Sequence, residues 1–192
     1  MAASAREYLT PDEYLAFERQ AETKHEYFDG QLIAMVGGSP RHSHLGGNVV
    51  TSLNNALAGR PCIVFNSDLK VRHTKRRNFA YPDATVVCGS PRYGEDEQDV
   101  LLNPNLIAEV LSPSTQRYDR TGKFLRYQSL SSFAEYLLVE QDIPRVELCS
   151  RQEDGSWEWS VAEGLEATLT IPSLDCTIAL ADIYRNITFD EA

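Results

Sequence analysis

Long apolar runs are missing from this sequence. No segment approaches the length of a membrane-spanning helix, and the opening residues, MAASAREYLTPDEY, lack the apolar core of a signal peptide. A cytoplasmic, reducing setting is the expectation that follows. Cysteine is scarce as well. Cys62, Cys88, Cys149 and Cys176 stand far apart, with no CxxC pair among them. This argues against a zinc site or a disulfide framework and predicts buried free thiols. Internal repeats and low-complexity segments are absent. Positive charge is in short supply, with 18 lysines and arginines against 28 acids and a net charge of -10. The chain as a whole should repel nucleic acid and anionic membranes. A nucleic-acid role must rest on a local basic patch or on metal ions that offset carboxylates.

What is there is ordinary for a folded protein: 42% hydrophobic and 24% charged residues over a length of 192, enough for one domain spanning 1–192. Thr10, Pro11 and Glu13 give a helix over 10–19 its capping signal. Asp29-Gly30 between 25–28 and 31–36 predicts a hairpin. Leu45, Val49, Leu53 and Leu57 recur at helical spacing before Gly59, although Gly46-Gly47 weakens that helix and asks for a reason such as close backbone packing. Strands are expected over 61–71, 80–88, 106–111, 135–140 and 167–171, with a hairpin of 145–149 and 157–161 around Asp154-Gly155. An acidic loop covers 90–99, a helix 116–130 and a short terminal helix 180–184. The mixture points to an α/β or α+β fold with a mixed sheet flanked by helices.

The stretch from Tyr81 to Lys123 sets a carboxylate in each of two apolar runs, Asp83 in YPDATVVC and Glu109 in LIAEVL. Acids in such surroundings are costly unless paired or bound to a metal. If the two strands are neighbours, both carboxylates can converge on one Mg²⁺ or Mn²⁺, which take oxygen ligands and keep waters. A nearby lysine would then stabilise developing negative charge or orient the attacking water.

Pro82-Asp83 followed by Glu109 resembles the PD-(D/E)xK nuclease superfamily. More specifically, TPDEYLAFE, KHEYFDGQLIAM, SPRHSHLGGNV, PCIVFNSDLKV, YPDATVVC, NPNLIAEVLSPST, YDRTGKFLRY and EYLLVEQD resemble, in that order, the Uma-two family of restriction-endonuclease-like proteins. The resemblance implies a restriction-endonuclease-like core extended by an N-terminal hairpin and C-terminal strands. It further implies metal-dependent cleavage of DNA, with Asp83 and Glu109 as ligands of Mg²⁺ or Mn²⁺. One position departs from the superfamily pattern: Leu111 stands where a lysine is expected, two residues after Glu109. The resemblance implies that the lysine function has moved to Lys123, with Lys70 as a rival because it shares a strand face with Asp68. Glu26 and His44 fall in matching segments as a further acid and as a contact to metal-bound water or phosphate.

The plainer readings are also definite. Lys123 could form only a surface pair with Asp119, four residues earlier, worth about 0.3–0.5 kcal/mol. His42 and His44 diverge on a helix, so a joint metal site is not expected. Lys70, Arg72, Lys75, Arg76 and Arg77 could be a solvated turn, or the phosphate contacts that an acidic nuclease needs. A homodimer is expected, since restriction-type nucleases often pair to cut two strands. The rival from another class is a catalytically silent protein of the same fold that binds nucleic acid or a partner protein.

Overall fold

A computed structural model describes residues 8–35, 37–73, 77–95 and 97–189. The chain opens with helix α1 (Pro11–Glu18), where Thr10 and Glu13 form the reciprocal capping box and Pro11 fills the first turn. Strands β1 (His25–Phe28) and β2 (Gln31–Ala34) follow as a hairpin. Asp29 and Gly30 both take positive φ, 43° and 92°, as the tight primed turn requires. The long helix α2 (Pro40–Ala56) is capped by Ser39, whose hydroxyl accepts from the His42 amide.

Two expected strands each divide in two. Residues 61–71 form β3 (Cys62–Asn66) and β4 (Lys70–His73), in different sheets, because a turn at Ser67-Asp68 redirects the chain. Residues 80–88 likewise divide into β5 (Asn78–Ala80) and β6 (Ala84–Cys88), broken at Tyr81-Pro82-Asp83, where proline removes a ladder donor. The acidic segment 90–99 is no open loop. It contributes β7 (Tyr93–Gly94) and β8 (Glu97–Leu101). Then come β9 (Leu106–Val110), a helical segment of α3 (Gln116–Tyr118), a π-helical turn (Asp119–Lys123) and α4 (Phe124–Tyr127), and β10 (Glu135–Val139). The hairpin β11 (Arg145–Arg151) and β12 (Trp157–Glu163) turns at Asp154-Gly155. The chain closes with β13 (Thr168–Ile171), β14 (Cys176–Ala179), which sequence periodicity did not suggest, and α5 (Leu180–Ile183).

Two six-stranded mixed sheets result, where one was expected: β2-β1-β5-β4-β8-β7 and β12-β11-β10-β9-β6-β3. The second is the centre. One face, with Val86, Leu106, Ala108, Val110 and Leu137, packs on Leu45, Val49 and Leu53 of α2 and on the C-terminal elements. The opposite face, with Val87, Ile107, Leu111 and Leu138, packs on Phe124, Tyr127 and Phe133 and on Val71 and Leu101 of the first sheet. Burial on both faces explains the near-continuous apolar runs.

Cys62 and Cys88 are not free thiols. They sit opposite each other in the β3–β6 ladder and form a disulfide. Their separation of 26 residues concealed a pairing that only the antiparallel register brings together. Cys149 and Cys176 are free and buried. Among the described residues, no helix is long and apolar enough to cross a membrane.

Candidate active site

β6 and β9 are antiparallel neighbours with Ala84 opposite Ala108, and extending that register by one residue sets Asp83 opposite Glu109. Alternation along β9 sends Leu106, Ala108 and Val110 toward α2, and Ile107, Glu109 and Leu111 toward the 116–127 helix. A lysine at 111 would lie on the face of Glu109. Here Leu111 joins the core, and the lysine arrives from the helix covering that face.

Lys123 Nζ lies 3.1 Å from Glu109 Oε1, 3.1 Å from Glu26 Oε1 and 3.5 Å from Asp119 Oδ1. All four residues are buried, with exposures of 8% for Lys123, 3% for Glu109, 6% for Glu26 and 3% for Asp119. The Asp119–Lys123 pair is therefore no surface contact. Glu26 reaches the cluster from β1, so the Asp29-Gly30 hairpin supplies one wall. The π turn supplies the other: Asp119 O accepts from Tyr136 Oη at 3.0 Å, and Gly122 leaves room for the Tyr118 ring, which a Cβ there would meet at 2.7 Å. A π turn inside a helix commonly marks a functional position.

Asp83 is held from behind. Its Oδ2 accepts from the Val110 amide at 2.7 Å. His42, at the start of α2, places Nε2 2.9 Å from Val110 O and 3.4 Å from Asp83 Oδ2. A carbonyl only accepts, so Nε2 carries the proton. Tyr127 Oη donates to Glu109 Oε1 at 3.1 Å.

Burial is the largest influence on Glu109 and, with Asp119, Asp83 and Glu26 nearby, raises it well above the ordinary carboxylate range despite Lys123. Burial also raises Asp83, against the opposing pull of His42, the Val110 amide and Lys123. Lys123 moves up too: burial alone would lower it, but Glu109, Glu26 and Asp119 prevail. Its ammonium stays charged, while the acids around it remain short of positive charge. Glu26 Oε1 and Asp119 Oδ1 are buried and accept no hydrogen bond, although each faces Nζ.

The cluster lies in a cleft of about 1230 Å³ between the β1–β2 hairpin, α2 and the Ser112–Thr115 turn. Gly46 and Gly47 line it, and a Cβ on either would meet nothing within 4 Å. The expected close backbone packing is absent; these glycines leave a wall of the cleft bare.

Other residues singled out from the sequence lie elsewhere. His44 does not face the carboxylates. Its Nε2 is 3.0 Å from Arg185 O, because two residues along a helix turn the side chain to another face. Lys70 is bound by Asp99 at 2.6 Å, and Asp68 by Lys24 at 2.5 Å, so the rival lysine does not approach Glu109. Arg72 lies 3.7 Å from Glu97, and Arg77 pairs with Glu97 and with Asp12. These three bases satisfy neighbouring acids and do not line the cleft. Lys75 and Arg76 lie outside the described residues. Sequence reasoning missed His42 and Tyr127 and undervalued Asp119. The spacing of Asp119 and Lys123 was a usable signal, whereas His42 gave none that separated it from His44.

Among the described residues, no three His, Cys, Asp or Glu side chains are arranged to hold a metal ion by themselves. Mg²⁺ and Mn²⁺ need fewer, since they keep waters and share substrate oxygens. Two facing carboxylates, a surplus of negative charge and two buried carboxylate oxygens without hydrogen bonds fit such an ion.

Residues 11–181 match the model of the Uma2 family, described as "Putative restriction endonuclease". The chain is 39% identical over 184 residues to the uncharacterized protein slr1290 of Synechocystis sp., covering 94% of each. It is 34% identical over 157 residues to the uncharacterized protein sll1609 of the same organism, covering 82% of this chain and 89% of that one. A crystal structure described as a "putative nuclease belonging to DUF820" from Anabaena variabilis superposes with a TM-score of 0.73 at 21% identity, covering 92% of this chain and 97% of that one. The chain belongs to the Uma2 family, and its fold is that of the DUF820 protein.

Proposed function

We propose that this member of the Uma2 family is a divalent-cation-dependent endonuclease that hydrolyses phosphodiester bonds of DNA. The observation that carries the reading is the buried Lys123 ammonium, 3.1 Å from Glu109 Oε1 in the cleft that Asp83 also lines. Asp83 and Glu109 would hold Mg²⁺ or Mn²⁺, which when bound polarises a phosphoryl oxygen and lowers the pKa of an attacking water. The Val110 amide and the His42 ring fix Asp83, and Tyr127 fixes Glu109. The surrounding acids hold Lys123 above its ordinary range, so it stays an ammonium that donates hydrogen bonds and does not serve as a base. It orients the water or stabilises charge developing on the phosphate. Glu26 closes the cluster from the hairpin. A homodimer would present two clefts to the two strands of a duplex.

The test is cleavage of supercoiled plasmid with Mg²⁺ or Mn²⁺, with a chelator control, for wild type, Asp83→Ala and Glu109→Ala. Each substitution should lower the rate by about 100-fold or more. Equal activity in all three rejects the mechanism. No cleavage by wild type, with DNA still bound, favours a catalytically silent binder.

A further inference from the structure

We infer that Asp119 is a positioning residue, whose carboxylate keeps the Lys123 ammonium in the cleft when Glu109 turns to a divalent cation. The inference rests on the reading above. Lys123 has three carboxylate partners, and they are not equivalent. Glu109 is wanted by the cation, and a cation on Glu109 repels an ammonium now 3.1 Å away. Glu26 belongs to the hairpin on the opposite wall. Asp119 shares the π turn with Lys123, and that turn is pinned where Tyr136 donates to Asp119 O at 3.0 Å.

The state of Asp119 supports this role. It is 3% exposed, its Oδ1 accepts no hydrogen bond, and that oxygen faces Nζ at 3.5 Å. A buried carboxylate so poorly satisfied is a costly way to build a helix. A neutral side chain would fill the space more cheaply, so the charge at 119 calls for a charged partner. Without it, the ammonium would have only Glu26 and Glu109 and would compete with the cation for Glu109.

The experiment is a double-mutant cycle on the full chain, read by calorimetric Mn²⁺ titration without substrate and by plasmid cleavage. Asp119→Asn should weaken Mn²⁺ binding by about tenfold and lower kcat by about 100-fold, with KM little changed. Asp119→Glu should keep the Mn²⁺ affinity and at least about a tenth of kcat. In a Lys123→Met background, the same Asp119→Asn change should alter Mn²⁺ affinity by less than about twofold. An equal loss in that background would mean that Asp119 acts on the cation directly, and would overturn the inference. So would an unchanged Asp119→Asn protein. If Asp119→Asn does not fold, Asp119→Ser carries the same cycle. A wild type that binds Mn²⁺ and cleaves but shows no coupling defeats this inference alone; one that does neither defeats the endonuclease reading and this with it.

Discussion

Charge is buried in two regions of this molecule under different terms. In the first sheet, Glu97 and Asp99 face Arg72, Arg77, Lys70 and Arg19, and Arg77 also reaches Asp12. In the cleft, Glu26, Asp83, Glu109 and Asp119 face Lys123 and the His42 ring. The acids record the difference. Burial pushes Asp99 up, yet Lys70 and Arg19 hold it below its ordinary value, whereas Glu109 ends well above its own. In the first cluster four bases face two strand acids, although Glu97 Oε2 accepts no hydrogen bond and has Arg72 only at 3.7 Å. The second is left wanting positive charge, which is the condition of a site that binds some.

The largest expected effect comes from removing Lys123, the lysine among the cleft's buried acids. In metal-free buffer, Lys123→Met should lose about 3–5 kcal/mol of unfolding free energy, because it strands buried acids. Added Mg²⁺ should recover more stability in the variant than in wild type. Urea unfolding with and without Mg²⁺ checks both, and an unchanged midpoint would remove the contrast. Breaking the balanced cluster should do less. Glu97→Gln deprives Arg72 of its acid and leaves Arg77 with Asp12 alone, at a cost of about 1–3 kcal/mol, with kcat of the folded protein unaltered. A fall in kcat would show that the two clusters are not separate.

His73 gives a pH axis. Burial, aided by Arg126 and Lys123, lowers it to about 3. Below about pH 6.5 the unfolded chain takes up a proton that the folded state refuses, so stability falls as pH drops toward the folded pKa, by up to about 1.4 kcal/mol per unit. Above that range the penalty is absent. His73→Gln should flatten this slope, measured by urea midpoints at pH 7.5 and 5.5, and equal slopes would contradict it. The smallest effect is at the bare wall of the cleft. Gly47→Ala should stabilise the helix by about 1 kcal/mol while slowing cleavage, as melting temperature and plasmid assay would show. A variant both more stable and equally active would mean that substrate does not approach there.

Local signals revealed much of this fold. The capping box at Thr10, the Asp29-Gly30 turn and the α2 periodicity are short-range chemistry, and each stands where it was expected. The adjacency of Asp83 and Glu109 was a condition in the sequence, and it holds because β6 and β9 pair although β7 and β8 intervene between them in the chain. What was not legible depended on distant chain. Lys70, Arg72 and Arg77 appeared available for phosphate because Glu97 and Asp99, their partners, belong to another strand of the same sheet. A surface pair of Lys123 with Asp119 stayed open as the plainer alternative to a role in the site, because nothing local reveals that Glu26 folds over them from β1. His42 and His44 fall in the same resembling segment, and only the docking of α2 turns His42 toward Asp83 and His44 toward Arg185 O.

The π turn also makes this molecule sensitive to length rather than composition. From Asp119 to Lys123 the backbone winds wider than the α-helical segments on either side, and this one spacer residue lets two sets of side chains face different ways. Asp119 and Lys123 serve the cleft, while Phe124 and Tyr127 serve the core. Loss of one codon within the turn would leave a regular helix with its two halves rotated against each other. Either the core or the cleft would then lose its side chains. Such a lesion could spare the fold and silence the site, although every residue named in the cleft was still encoded.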